Sequence, residues 1–153
     1  MKKTILFLLV VIFINELYAQ DSTNAVKSLL DSKRYSFIPQ TMNPLRGRTR
    51  QLTSSFSLDV KGDSLVVYLP YIGTAYSAPV NPSDAGYNFI STDYDYTVKK
   101  GKKNRYEVSM KIKDRFSGTV FYLTVFDNKT ASLQATSNDK QGISYNGYIK
   151  QLK

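Results

Sequence analysis

Tyr94-Asp95-Tyr96-Thr97-Val98-Lys99-Lys100-Gly101-Lys102-Lys103-Asn104-Arg105-Tyr106-Glu107-Val108-Ser109-Met110-Lys111-Ile112 reads as two strands joined by a polar turn. In the first strand Tyr94, Tyr96 and Val98 alternate with Asp93, Asp95, Thr97 and Lys99. In the second, Tyr106, Val108, Met110 and Ile112 alternate with Arg105, Glu107, Ser109 and Lys111, across a turn from Lys100 to Asn104. A period of two places successive side chains on opposite faces, so each strand has one buried and one wet face. This pattern decides the fold class: an antiparallel sheet packed on one side.

The same period recurs in both directions from the hairpin. Downstream, strands are expected over Thr119 to Phe126, Ala131 to Ser137 and Ile143 to Lys150, separated by Asp127-Asn128-Lys129 and Asn138-Asp139-Lys140-Gln141-Gly142. Their inward set would be Ala131, Leu133, Ala135, Ile143, Tyr145, Gly147 and Ile149, small enough for close packing or for a cavity. Upstream, Leu52, Phe56, Leu58 and Val60 share one side of a strand that turns at Lys61-Gly62-Asp63 into Leu65-Val66-Val67-Tyr68-Leu69. That run is apolar on both faces, as a central strand is. Asn81-Pro82-Ser83-Asp84 marks a loop. Tyr35-Ser36-Phe37-Ile38 reads as a short strand stopped by Pro39, since proline cannot donate to a ladder. Before it, Ser22-Thr23-Asn24 caps a short helix with Ala25, Val26, Leu29 and Leu30 at helical spacing and Lys33 and Arg34 at its C-terminus. Strands at this spacing predict an all-β domain, a small barrel or two-sheet sandwich of about eight strands with one N-terminal helix.

The chain begins with Lys2 and Lys3 followed by an apolar run from Thr4 to Ile14, with Tyr18-Ala19 ahead of Gln20. That is the layout of a removable secretory leader over 1–19, too short to serve as a membrane span, with a single domain over 20–153. The protein is therefore expected to be exported, to the periplasm or beyond, with no transmembrane span. Cysteine is absent, which closes disulfides, thiolate chemistry and lipid attachment through cysteine.

Histidine is also absent, removing the commonest general base and the commonest zinc ligand. No glycine-framed serine of the nucleophile-elbow type is present. Two carboxylates suffice for a glycosidase, but Asp59, Asp63, Asp84, Asp93, Asp95 and Glu107 fall on outward strand positions or in turns, where solvation explains them. No catalytic residue, metal or cofactor is expected, and Asp93-Tyr94-Asp95 lacks the dense acidic loop that calcium requires.

Binding remains. Tyr68-Leu69-Pro70-Tyr71-Ile72-Gly73-Thr74-Ala75-Tyr76-Ser77-Ala78-Pro79 starts as a strand, must leave the sheet at Pro70, can bend at Gly73, and still carries three tyrosines. Tyr68, Tyr71, Tyr76 and Tyr87, with Phe89, are candidates for an aromatic contact surface, because tyrosine offers a flat apolar face and a hydroxyl. The plainer alternative is that they plug the end of the core with their hydroxyls on loop backbone. The net charge of +9 favours anionic envelope components or glycans, or a protein partner, over nucleic acid, for which no base-stacking motif is present. Arg46, Arg48 and Arg50 would share one face if extended, and Lys102 and Lys103 crowd the hairpin tip with Lys99, Lys100 and Arg105; both groups are candidate anion sites. Solubility alone also explains such a surface.

Three places resemble the secreted Bacteroidetes proteins called domain of unknown function 4251. They are Val60 to Ser64 leading into Tyr68 to Pro79, the hairpin from Asp95 to Lys113, and Thr136-Ser137-Asn138 through Gln141-Gly142-Ile143-Ser144-Tyr145-Asn146-Gly147. Relatives often carry arginine where this chain has Thr74, and more glycine where it has Val80-Asn81-Pro82. The resemblance implies no established activity and transfers no catalytic residue. The expectation is a non-enzymatic envelope binding or scaffolding protein with its contact surface around 68–79. The alternatives are a lipocalin-like carrier of an apolar ligand, in a cavity lined by Leu133, Tyr145 and Ile149, and a carboxylate-based hydrolase.

Overall fold

Wherever the two-residue period is clean, it becomes a ladder. The computed structural model describes residues 24–76, 86–114 and 116–152. The leader, the Ser22-Thr23 cap, Ser77-Ala78-Pro79 and the Asn81 to Asp84 loop lie outside them. A short helix, α1, occupies 24–31. Ten strands follow: β1 Arg34–Pro44, β2 Arg50–Gln51, β3 Ser57–Lys61, β4 Ser64–Leu69, β5 Tyr87–Ser91, β6 Tyr94–Lys100, β7 Arg105–Ile112, β8 Val120–Phe126, β9 Thr130–Thr136 and β10 Ile143–Gln151. All pair antiparallel in one sheet of order β5-β4-β3-β1-β10-β9-β8-β7-β6, with β2 beside β1.

The sheet is nearly closed, like a barrel. Its two terminal strands, β5 and β6, are consecutive in sequence and separated only by Thr92 and Asp93. The Lys113 N–H donates to the Asp93 carbonyl, so β7 pairing runs on past β6 into the link, while Ser91 still pairs with Leu65 of β4. One bent stretch of chain thus serves both margins of the sheet and leaves little free edge.

Among the described residues the expected count of about eight strands is corrected to ten, for two local reasons. The strand read through Leu52 to Val60 is broken, with β2 ending at Gln51 and β3 starting at Ser57. Leu58 and Val60 are buried, whereas Leu52 and Phe56 are only half-buried. The stretch Tyr87–Ser91, not read as a strand from the sequence, pairs over its full length with β4.

Nor does Pro39 stop β1. It pairs with Gly147 and the ladder runs on to Pro44, with a bulge at Gln40 between the Pro39–Gly147 and Thr41–Asn146 pairs. A bulge is one of the few places in a sheet where a residue without an N–H is tolerated. It also shifts the parity of the strand. Tyr35, Phe37 and Pro39 face inward before it, and Met42 faces inward after it. Gly147 makes the crossing possible, because a Cβ there would lie 2.0 Å from the Ile38 carbonyl oxygen.

One apolar cluster fills the interior, contributed by all the long strands and by Val26 and Leu30 of α1. Leu133, Tyr145 and Ile149, the lining expected of a carrier's cavity, are fully buried members of it. Burying Val26 and Leu30 stabilises the seating of α1 on the core by roughly 2 kcal/mol each. A phenol relay adds direction: Tyr96 donates to the Leu30 carbonyl at 3.0 Å, and Tyr35 to the Tyr96 hydroxyl at 3.2 Å. Among the described residues no helix is long and apolar enough to cross a membrane.

Candidate functional site

The chain leaves β4 at Leu69, as Pro70 requires, and crosses the end of the barrel opposite α1. Four contacts hold the crossing segment 70–76. Tyr145, buried on β10, donates its hydroxyl to the Pro70 carbonyl at 2.6 Å. Tyr71 folds back to donate to the Thr74 carbonyl at 2.8 Å. The Gln141 N–H donates to the Thr74 carbonyl at 3.0 Å, and the Tyr76 N–H to the Asp139 carbonyl at 2.7 Å. Ala75 and Lys140 form an antiparallel bridge between these last two bonds. Segment 70–76 is thus a strap stitched to the β9–β10 connection. At Gly73 a Cβ would sit 2.6 Å from the Tyr71 hydroxyl, so any larger residue would have to push that phenol off the Thr74 carbonyl.

Beneath the strap lies an aromatic ladder. Tyr71 meets Tyr87 edge-on with centroids 6.1 Å apart, and Tyr87 meets Phe121 at 5.5 Å. Phe89 stacks on Phe116 at 4.2 Å. Lys140 places its ammonium 5.0 Å from the Tyr87 ring centroid and 5.5 Å from that of Tyr71, and donates to the Gly86 carbonyl. Such cation–π contacts are worth on the order of 1 kcal/mol at a partly exposed site. Lys140 was not singled out from the sequence. Its partners lie more than fifty residues away, and no local pattern signals such a contact.

The four candidate tyrosines occupy three different environments. Tyr68 stands on the outer wall, 48 % exposed, against Phe56 at 5.2 Å. Tyr71 and Tyr87 belong to the ladder under the strap, Tyr87 only 3 % exposed. Tyr76 projects outward at 66 % exposure, with Ile72 also exposed nearby. The plug reading thus describes Tyr71, whose hydroxyl meets loop backbone, and describes Tyr87 by its burial alone, while the contact-surface reading has Tyr76 as its main candidate.

Among the described residues the Tyr87 hydroxyl is buried without a hydrogen-bond partner. Burial, and secondarily the Tyr71 phenol, push its pKa well above the ordinary value. An orphaned buried hydroxyl carries a desolvation penalty that a phenyl ring does not. Tyr87→Phe is therefore expected to leave stability unchanged or raise it by about 1 kcal/mol. Tyr145→Phe, which strands the Pro70 carbonyl, should lower it by about the same amount. Chemical denaturation of the two variants checks the opposite signs.

The basic candidates are divided between the two ends. Arg46, Arg48 and Arg50 are all exposed and follow the end of β1, where Pro44 pairs with Ile143. That is the strap end. Gly47 has φ +119° and the chain bends over 45–47, so these arginines do not share one face of an extended strand. Lys102 and Lys103 are exposed at the β6–β7 tip, at the α1 end, with Lys103 and Asn104 in the left-handed region. The acids lie on outer faces beside cations: Asp95 pairs with Lys113, Glu107 with Arg105 at 2.9 Å and Asp59 with Lys61 at 3.7 Å. Among the described residues no three or more acidic groups converge as metal ligands would.

The sequence profile described as domain of unknown function DUF4251 matches residues 18–149. The chain belongs to this family. A crystal structure of a DUF4251 family protein from Bacteroides eggerthii DSM 20697 superposes with a TM-score of 0.59 at 13 % identity, covering 85 % of this chain and 87 % of that one. At that identity the likeness concerns the fold. No curated protein matches the chain. Membership of DUF4251 bears out the resemblance read from Val60 to Pro79, from the hairpin Asp95 to Lys113 and from Thr136 to Gly147; the first and last of these are the segments stitched together at the strap.

Proposed function

We propose that this DUF4251 protein is an exported, non-enzymatic binding protein of the cell envelope, contacting an anionic envelope polymer through its strap end. The observation that carries the reading is the strap itself. A segment held to the β9–β10 connection by the backbone of Thr74 and Tyr76 presents Tyr76 and Ile72 to solvent, at the same end of the barrel as the chain that leaves β1 through Arg46 and Arg48 and reaches Arg50 of β2. Pre-ordering an aromatic contact residue lowers the entropy lost on binding. Arginine forks supply two-point contacts to phosphate or sulfate. A plug alone requires Tyr71 and Tyr87 and gives no reason for an exposed Tyr76. Export rests on the leader, and the absence of catalysis on the lack of imidazole and thiol.

Co-sedimentation with lipopolysaccharide aggregates tests the proposal. The mature chain should pellet at low salt and be released as salt rises, since exposed charges are screened beyond about 8 Å at physiological ionic strength. Each basic residue near an anionic surface contributes about 1 kcal/mol. The triple variant Arg46→Ser, Arg48→Ser, Arg50→Ser should thus bind on the order of 100-fold more weakly, and Tyr76→Ala about 10-fold. Wild type that stays in the supernatant at low salt, or a triple variant that pellets like wild type, overturns it.

A further inference from the structure

On the outer wall, away from the strap, the β1 bulge opens a depression of about 310 Å³. Its lining is Gln40 and Thr41 of β1, Asn146 and Gly147 of β10, Thr130, Ala131 and Ser132 of β9, and Phe126 of β8. The register explains the arrangement. Asn146 pairs with both Thr41 and Ser132, so an amide and two hydroxyls stand abreast on one row. Gln40 is the unpaired residue of the bulge and turns its side chain out at the rim. Phe126 stands across from them, 39 % exposed, and among the described residues it stacks on no other ring.

Two properties separate this depression from ordinary surface. First, none of its lining residues is charged, although the chain carries 21 basic and 12 acidic residues. Second, the side chains of Gln40, Thr41, Ser132 and Asn146 make no hydrogen bond within the protein among the described residues, whereas Thr130 is held by Asn128 at 2.6 Å. The groove therefore offers two amides and two hydroxyls, each able to donate and accept, opposite one apolar ring. An uncharged ligand with hydroxyls around its rim and an apolar C–H face complements both sides at once, and that is the chemistry of a pyranose. An anion would find no cation here, and a purely apolar ligand would leave the amides desolvated and unpaired.

We propose that this groove is a binding site for one residue of a neutral saccharide. The ring of Phe126 underlies the sugar's C–H face, and Gln40, Thr41, Ser132 and Asn146 bond its hydroxyls. The volume sits at the lower end of small-molecule sites, in keeping with a single ring and with an open groove through which a longer glycan can continue. The site is independent of the strap end, since its residues lie on the sheet wall and carry no charge.

The test is a two-dimensional amide NMR titration of the isotopically labelled mature chain with methyl β-D-glucopyranoside, cellotetraose and chitotetraose. Saturable shifts centred on Thr41, Ser132 and Asn146, weakened at least 10-fold by Phe126→Ala and 3-fold or more by Asn146→Ala, support the proposal. All the substituted side chains are exposed, and retention of the remaining amide spectrum reports an intact fold. Saturation by the methyl glycoside assigns a free sugar, and saturation by a tetrasaccharide alone assigns a glycan chain. Absence of saturable shifts with all three probes, shifts centred elsewhere, or a Phe126→Ala variant that binds as wild type overturns it.

Discussion

Gly147→Ala is expected to destabilise the protein by about 3 kcal/mol or more, in the upper range of overpacking costs. The added methyl would lie 2.0 Å from the Ile38 carbonyl oxygen and 2.9 Å from the Pro39 Cα. Neither neighbour is a side-chain end that can swing away; both are backbone at the bulge where the first and last strands cross. Relief requires β1 and β10 to separate, and the pairs on either side of the bulge would go with them. For a domain of this size the midpoint of thermal unfolding should fall by about 10 °C or more. Gly142→Ala is the matched control. A Cβ there meets the Ala135 carbonyl at an ordinary 3.7 Å, so its effect should stay within about 0.5 kcal/mol. Scanning calorimetry of the two variants decides it, and equal melting temperatures would show that the crossing yields.

A steep loss of structure above pH 10 is the second large effect expected. Burial pushes the phenols of Tyr35, Tyr87 and Tyr145 well above their ordinary pKa, and that of Tyr96 to about 12. Below pH 10 these groups are neutral in both states and cost nothing. As the pH rises past 10, the unfolded chain releases protons that the folded one retains, so the unfolded state binds fewer protons and stability falls. Each such phenol contributes a slope of up to about 1.4 kcal/mol per pH unit, and the three fully buried ones together about 4 kcal/mol per pH unit. Against a typical total of about 5–15 kcal/mol, the fold should be lost somewhere between about pH 11 and pH 14. Tyrosinate absorbance followed alongside circular dichroism should show one group of tyrosines titrating freely and a second ionising only with unfolding. A single smooth titration near pH 10 with the dichroism unchanged would contradict this.

The strands most legible in the sequence are those whose inward and outward sets differ most in polarity. β6 through β10 appear within a residue or two of the alternation that announces them, because Lys, Asp, Glu, Ser and Thr mark their wet faces. β5 escaped because its outward residues are Asn88 and Ile90, and Ile90 is 63 % exposed. An apolar residue on the outer face erases the period. The sequence ends β1 at Pro39 because proline cannot donate to a ladder, and the bulge that tolerates it there and carries the strand on to Pro44 leaves no periodic mark, since it shifts the parity between Pro39 and Met42. At the site, the departure of the chain at Pro70 and the presence of aromatic residues were readable. What they pack against was not, because Lys140, Asp139 and Tyr145 arrive from the other half of the chain and leave no local mark. The groove at the bulge was invisible for the same reason: its four strands meet only after folding.

The pairing of β1 with both β3 and β10 governs when the molecule can finish folding. A ribosome delivers β1 well before β10, and their contacts span about a hundred residues of intervening chain. Until the final strand emerges, one flank of the first lacks its partner, and the interior has a gap beside Tyr35, Phe37 and Met42. Such long-range closure is slow, and the open intermediate presents an unpaired, sticky margin. Removing even the last few residues, from Ile149 onward, should therefore act less like trimming a tail than like withholding the clasp of a bracelet.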